Sequence, residues 1–253
     1  MSETVLGFLL VLARVGGALV FVPLPGIRHG PALARLVLAG SLALALFPAW
    51  PAAPQDAREA GRLALWIVSE AAFGVTVGLA VAFLNEIFLV AAAIFGLPAG
   101  YSYAATIDPA TEADSAVLLV LAQFLAGLLF FALGLHLEVM RIFARSFEAW
   151  PPGSFLLEPV CARRVIGLGA GMFSMGLRLA MPVVGLLLLA DATLALLGRI
   201  HSQLQLLMLA FPVKMLAALA MLAAALGVYQ RVYRGAAEGT LLALWELTAR
   251  RGG

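Results

Sequence analysis

Four ionisable side chains stand alone inside long apolar runs of this 253-residue chain: Arg14 within Val5–Leu24, Glu70 within Leu63–Leu84, Arg178 within Val165–Ala190 and Lys214 within Leu204–Tyr229. A charge at the centre of a bilayer costs about 2.5–3.5 kcal/mol on insertion scales, so residues of this kind normally face protein, water or a charge of opposite sign. The chemistry on offer is ion pairing between helices or subunits. Groups suited to covalent or metal chemistry are sparse. One cysteine, Cys161, can neither close an internal disulfide nor hold zinc by itself, and His29, His136 and His201 lie in separate segments without ligand spacing. Neither His-Glu-x-x-His, nor a Gly-x-Gly-Asp pair of aspartates, nor a Gly-x-Ser-x-Gly elbow occurs in an apolar run. No catalytic, metal or cofactor site is expected. His136 invites a proton-relay reading, but a lone histidine at a helix end is expected to be a hydrogen-bonded cap rather than a relay.

The elements that must carry these charges follow from composition and apolar length. Mean hydropathy is +1.03, 63% of residues are apolar and 12% are charged, against roughly 25% charged in a soluble domain. Such a chain needs lipid or partner subunits to cover its surface. Fifteen Arg and one Lys are scattered as singles and pairs, without the stripe a nucleic-acid backbone requires, so nucleic acid is not expected as a partner. Seven helical segments are expected: Val5–Leu24, Leu36–Trp50, Leu63–Leu84, Ile87–Ile107, Ala116–Leu135, Val165–Ala190 and Leu204–Tyr229. Crossing the hydrocarbon core takes about 20 residues, so the fifteen of Leu36–Trp50 suggest a partial or interfacial helix. The first segment lacks a signal peptide's basic start and small-residue cleavage site, and reads as a retained span.

Breakers mark the connections at Pro23-Leu24-Pro25-Gly26, at Pro48-Ala49-Trp50-Pro51, and at Trp150-Pro151-Pro152-Gly153 inside the longest polar region, His136–Arg164. A two-helix hairpin turns around Arg199–Gln203, and a mildly amphipathic tail, Gln230–Gly253, follows. If all seven segments cross with the N-terminus outside, ten basic residues lie inside and three outside, and the acidic loop Asp108–Ser115 falls outside. Gly74–Gly78 and Gly167–Gly171 have the GxxxG spacing that lets helix backbones approach closely. Arg199 and Gln203, four apart, share a face if the helix continues. Asp108-Pro109 starts a turn, and Asp114 or Ser115 caps the helix beyond it.

Two stretches are more specific than these patterns. The first runs Arg199-Ile-His-Ser-Gln203-Leu-Gln205-Leu-Leu-Met-Leu-Ala-Phe211-Pro212-Val-Lys214, preceded by Asp191. It resembles the signature of the FliR family of the bacterial flagellar export apparatus and of its SctT relatives in virulence-associated type III secretion. Ser202, Gln205 and Ala210 stand where that signature has proline, an Asn-like residue and glycine. The second runs Gly96-Leu-Pro-Ala-Gly100-Tyr101-Ser-Tyr103-Ala-Ala-Thr-Ile-Asp108-Pro109-Ala-Thr-Glu112 and is similar to the family's passage from a glycine-spaced helix into an Asp-Pro loop. Arg14, Pro23 to Pro25 with Arg28, Glu70 with Gly74, Gly134-Leu-His136 and Pro182 extend the resemblance in order across nearly the whole chain.

The resemblance implies an all-α, polytopic, helical-hairpin protein like a fusion of two units, FliP-like over residues 1–160 and FliQ-like over 161–253. It implies a structural pore subunit of the export gate in the bacterial inner membrane, passing unfolded flagellar or virulence substrates. The implied partners are FliP-type and FliQ-type subunits and an FlhB-type switch protein, which is not fused here. Gly100, Tyr101, Tyr103, Asp108, Pro109 and Glu112 would belong to a plug near residues 100–115. Arg14, Glu70, Arg178, Asp191, Arg199, Gln203, Phe211, Pro212 and Lys214 would make inter-helix or inter-subunit contacts. Isolated charges are tolerable in such an assembly, where a neighbour supplies the counter-charge. The alternative is a stand-alone solute transporter with sites at Pro-interrupted helices, although the two halves show no inverted repeat.

Overall fold

The computed structural model describes residues 3–22, 32–51, 60–101, 117–155, 159–200 and 206–249. The elements are α1 (Glu3–Leu19), α2 (Ala32–Ala45) with a 3-10 turn over Phe47–Ala49, α3 (Ala60–Ala99), α4 (Val117–Ala132), α5 (Leu135–Ala149), α6 (Pro159–Ile200), α7 (Leu206–Ala224) and α8 (Leu226–Ala249). There is no strand among the described residues, as an all-α chain requires. Two helices are long and apolar enough to cross a membrane, within Gly61–Ala99 and Cys161–Arg199. The count rises to four if each bent pair, α4 with α5 and α7 with α8, forms one span. The architecture is that of a polytopic helical membrane protein.

Several expected boundaries move, each for a local reason. Segments 63–84 and 87–107 are one helix, α3, because Asn85 and Glu86 are polar without being breakers, and Asn85 is buried and hydrogen-bonded. It ends one residue after Pro98, at Gly100 with φ 92°. The first segment stops at Leu19, and its 17 residues fall short of a span. His136–Arg164, expected to be a polar connection, contains α5. Leu135, Val139, Ile142, Phe143 and Phe147 put one buried face on it beneath the charges of Glu138, Arg141, Arg145 and Glu148. The sixth segment lengthens to 42 residues because Pro182 and Asp191 are accommodated within α6. The seventh breaks at Ala225 with a bend of 57°, and the tail continues as α8. With two to four spans among the described residues, the seven-crossing assignment of loops to membrane sides no longer applies.

The chain forms two compact units, one of residues 1–84, 130–170 and 236–253, the other of 85–129 and 171–235. In the first, α1 and α3 meet backbone to backbone. A methyl group added at Gly74 would lie 1.9 Å from the Arg14 carbonyl oxygen, and one at Gly78 would lie 2.4 Å from that of Ala18. The GxxxG reading of Gly74–Gly78 is therefore met. Gly167 and Gly171, by contrast, have nothing within 4 Å of an added methyl. The core is aromatic around Phe73, whose ring lies edge-on to Phe143 at 6.4 Å and Phe155 at 5.2 Å. An Arg164–Glu246 ion pair, and Arg145 4.9 Å over the Trp245 ring, fix the end of α8.

In the second unit, α3 and α6 come close where a methyl at Gly176 would lie 2.7 Å from Val90 Cγ1. Phe88 packs on Tyr229 and Tyr233, and the Tyr233 hydroxyl donates to Asn85 Oδ1 at 2.9 Å. The α6 surface stays open: only 22% of its most apolar window is buried, against 56% for α3.

Candidate functional site

Arg14 and Glu70, the charges that looked most costly in the first and third apolar runs, are each other's partner. Both side chains are fully buried, and Arg14 Nε donates to Glu70 Oε2 at 2.5 Å. The glycine contact between α1 and α3 makes this reach possible, since both residues lie on the stretches the glycines bring together. The rest of the guanidinium is also engaged. One terminal nitrogen donates to Ser146 Oγ at 2.7 Å and the other to the Trp150 carbonyl oxygen at 3.0 Å. The rings of Phe147 and Phe73 lie 4.2 and 4.7 Å from its central carbon, so the cation is stacked as well as bonded.

Glu70 spends its second oxygen on the backbone. Oε1 accepts the Gly153 amide N–H at 3.0 Å. Gly153 is left-handed, with φ 74°, and an added methyl would lie 2.1 Å from Trp66 Cδ1, so only glycine fits at this corner. Ser69 Oγ donates to the Phe155 carbonyl at 2.7 Å. The turn after α5, written in sequence as a Pro-Pro-Gly breaker, is thus tied to α1 and α3 through one buried ion pair. Ser146, Trp150 and Gly153 carry this arrangement without being marked in sequence as partners of charge, because their roles are fixed by a chain reversal more than 75 residues from Glu70.

A second pair lies on α6 and α7. Lys214 Nζ donates to Asp191 Oδ1 at 2.6 Å, with the lysine side chain 9% and the aspartate side chain 44% exposed. The buried ammonium reaches a carboxylate that solvent or a neighbour can also touch. One residue further on, the Met215 carbonyl accepts the Tyr101 hydroxyl at 3.3 Å. The two specific stretches of the sequence, around Gly100–Tyr101 and Phe211–Lys214, therefore meet. Asn85 and Tyr233 add a polar contact that only the lone amide in the α3 apolar run signals; Asn85 Nδ2 and the Tyr229 hydroxyl are buried without a partner among the described residues.

The other singled-out residues divide. Arg178 and Arg199 are exposed on α6, and Arg178 makes no ion pair among the described residues. Pro212 is exposed within α7. Phe211 lies on the same helix, and its side chain is outside the described residues, as are Gln203, Tyr103, Asp108, Pro109, Glu112, His29 and His201. His136, expected to be a hydrogen-bonded cap, makes no such bond among the described residues. Its ring lies tilted against Phe131 at 5.1 Å and Phe130 at 6.4 Å, and its Nδ1 is buried without a partner among the described residues. No group of three or more His, Cys, Asp or Glu side chains among the described residues could hold a metal ion.

Residues 5–239 match the family described as bacterial export proteins, family 1. The chain is 30% identical over 217 residues to the flagellar biosynthetic protein FliR of Escherichia coli (strain K12), covering 84% of this chain and 81% of that protein. It is 27% identical over 248 residues to the protein of the same name from Bacillus subtilis (strain 168), covering 96% and 94%. For the Caulobacter vibrioides protein of that name the identity is 26% over 218 residues, covering 86% and 87%.

Proposed function

Because this chain belongs to the bacterial export proteins of family 1, we propose that it is a component of the flagellar type III protein-export apparatus, acting as a structural pore subunit of the inner-membrane export gate. Its work is architectural: it supplies helices to a multi-subunit assembly through which unfolded proteins pass. The observation that carries this reading is helix length. The apolar stretches Gly61–Ala99 and Cys161–Arg199 each run 39 residues. At 1.5 Å per residue each is about 58 Å long, nearly twice the roughly 30 Å hydrocarbon core. Lipid can cover about half of each.

The remainder of α6 needs protein, since most of its apolar window is exposed within this chain. Phe173, Leu177, Met181, Leu188 and Leu189 are among its exposed side chains, and Arg178 stands in their midst. Partner helices of FliP and FliQ type, with an FlhB-type protein at the gate, are the covering the family resemblance supplies. In that reading residues 1–160 correspond to a FliP-like part and 161–253 to a FliQ-like hairpin held by Lys214 and Asp191. The segment that starts at Gly100 and Tyr101 seals the pore at rest. A stand-alone solute transporter would have to leave this apolar length to water.

Co-expression of the tagged chain with FliP-type and FliQ-type proteins, followed by native mass measurement in mild detergent, tests the reading. One copy of this chain with several copies of each partner is expected. A monomer or homo-oligomer that ignores both partners would favour the transporter instead. Deleting residues 100–114 in the assembled complex is expected to raise small-ion conductance; unchanged conductance would remove the plug from the proposal.

A further inference from the structure

We propose that the joint between α7 and α8 is a two-position hinge, with Asn85 of α3 as the catch that holds α8 through Tyr233 in one position and through Tyr229 in the other. The two helices meet at Ala225 with a bend of 57°. Few backbone bonds cross the break. The Ala225 N–H donates to the Met221 carbonyl, and the Val228 and Tyr229 N–H groups donate to the Ala225 carbonyl, but no such bond links Leu226 or Gly227 to α7 among the described residues. Packing does not hold the break either: Leu226, Gly227 and Val228 are exposed, and a methyl added at Gly227 would meet nothing within 4 Å. The angle is set farther along α8, and the nearest buried contact is with α3.

Tyr229 and Tyr233, four apart, lie on one face of α8, and Asn85 and Phe88, three apart, lie on one face of α3. Phe88 touches both tyrosine rings, at 5.6 and 5.4 Å, so Asn85 is offered the same hydroxyl chemistry twice, one helical turn apart. One offer is taken, since the Tyr233 hydroxyl donates to Asn85 Oδ1 at 2.9 Å. The Tyr229 hydroxyl and Asn85 Nδ2, an acceptor and a donor, are buried without a partner among the described residues. Two sealed polar groups without bonds burden this position of α8, which brings a position that pairs them close to it in free energy. Both rings are packed, so the exchange moves α8 itself. Tyr229 lies four residues beyond Ala225 and Tyr233 eight, about 6 and 12 Å along the helix axis. A swing about the break therefore displaces Tyr233 twice as far as Tyr229, and bringing Tyr229 to the amide carries Tyr233 off it. All of these residues belong to the second compact unit.

The test places nitroxide labels at Leu216→Cys on α7 and Arg234→Cys on α8, both exposed, in a Cys161→Ala background. Double electron–electron resonance of the full chain in lipid nanodiscs then reads the joint. Two distance populations are expected, one of them that of the 57° bend. Tyr233→Phe keeps the ring against Phe88 and should raise the second population relative to the first roughly two- to tenfold, the span of one neutral hydrogen bond. Tyr229→Phe should lower it by a similar factor. Any other pattern, including a single distance that neither variant shifts, would overturn the proposal.

Discussion

Glu70→Gln removes one charge from the buried pair while keeping the side chain's volume and an oxygen for the Gly153 amide. Arg14 then remains fully buried, bonded to the Ser146 hydroxyl and the Trp150 carbonyl but facing no anion. Breaking a buried pair by removing one partner costs about 3–5 kcal/mol, chiefly because the other charge is left uncompensated. Arg14→Met strands the Glu70 carboxylate with the single Gly153 N–H, and a cost in the same range is expected. At roughly 2–4 °C per kcal/mol for a chain of this size, each variant should lower the midpoint of thermal unfolding by about 6–20 °C. The assay is circular dichroism of the purified chain in mild detergent. The double variant decides the mechanism: with no charge left to strand, its loss should be at least about 2 kcal/mol smaller than the sum of the single losses. Losses that simply add, to within about 0.5 kcal/mol, would show that the two residues do not act as a pair, and the reasoning from burial would fail.

The glycines give opposite expectations. Gly74→Ala should cost about 1–3 kcal/mol by forcing α1 and α3 apart, whereas Gly171→Ala, on an open helix face, should be stabilising by about 0.5–1 kcal/mol; unfolding midpoints of the two variants check both. Asp191→Asn should cost about 1–3 kcal/mol, less than loss of Glu70 because the carboxylate is 44% exposed but more than an exposed pair because the Lys214 side chain is only 9% exposed, and its midpoint should fall by about 2–12 °C. Arg178→Ala should leave the isolated chain within about 0.5 kcal/mol of the parent, as exposed substitutions do, yet reduce the yield of complex with FliP-type and FliQ-type partners. An unchanged yield would remove Arg178 from the contact surface.

Apolar length and punctuation make the helical class, the membrane setting and the close packing at Gly74 and Gly78 legible from the chain alone. The charges made the singled-out positions visible too, since a residue as costly as Arg14 in an apolar run needs a partner. What the sequence does not carry is which partner. Arg14 and Arg178 look alike in their runs, and one is sealed against Glu70 while the other faces outward, because Arg14 lies on the face of α1 that packs on α3 whereas Arg178 lies on the open side of α6, away from the Gly176 contact. The same limit explains α5: a window of hydropathy averages its charged face with its buried one, so a helix that closes the Arg14 cage reads as a polar loop. It explains α3 as well, where two polar residues looked like a gap until Tyr233, 148 positions away, supplied a partner for Asn85.

The distribution of charge then divides the molecule by purpose. At Arg14 and Glu70 this chain holds both members of a pair, and the charges are withdrawn from the surface and tie the Pro-Pro-Gly turn to α1 and α3. Where the described residues offer no counter-charge, as at Arg178, the charge remains on the more exposed of the two long apolar helices, amid exposed apolar side chains. A cation placed there is expensive against hydrocarbon and cheap against a carboxylate or carbonyl on another subunit. If the proposed assembly covers this face, Arg178 is the charge on it against which the register of a docking partner helix would be set, and the Arg178→Ala yield tests that.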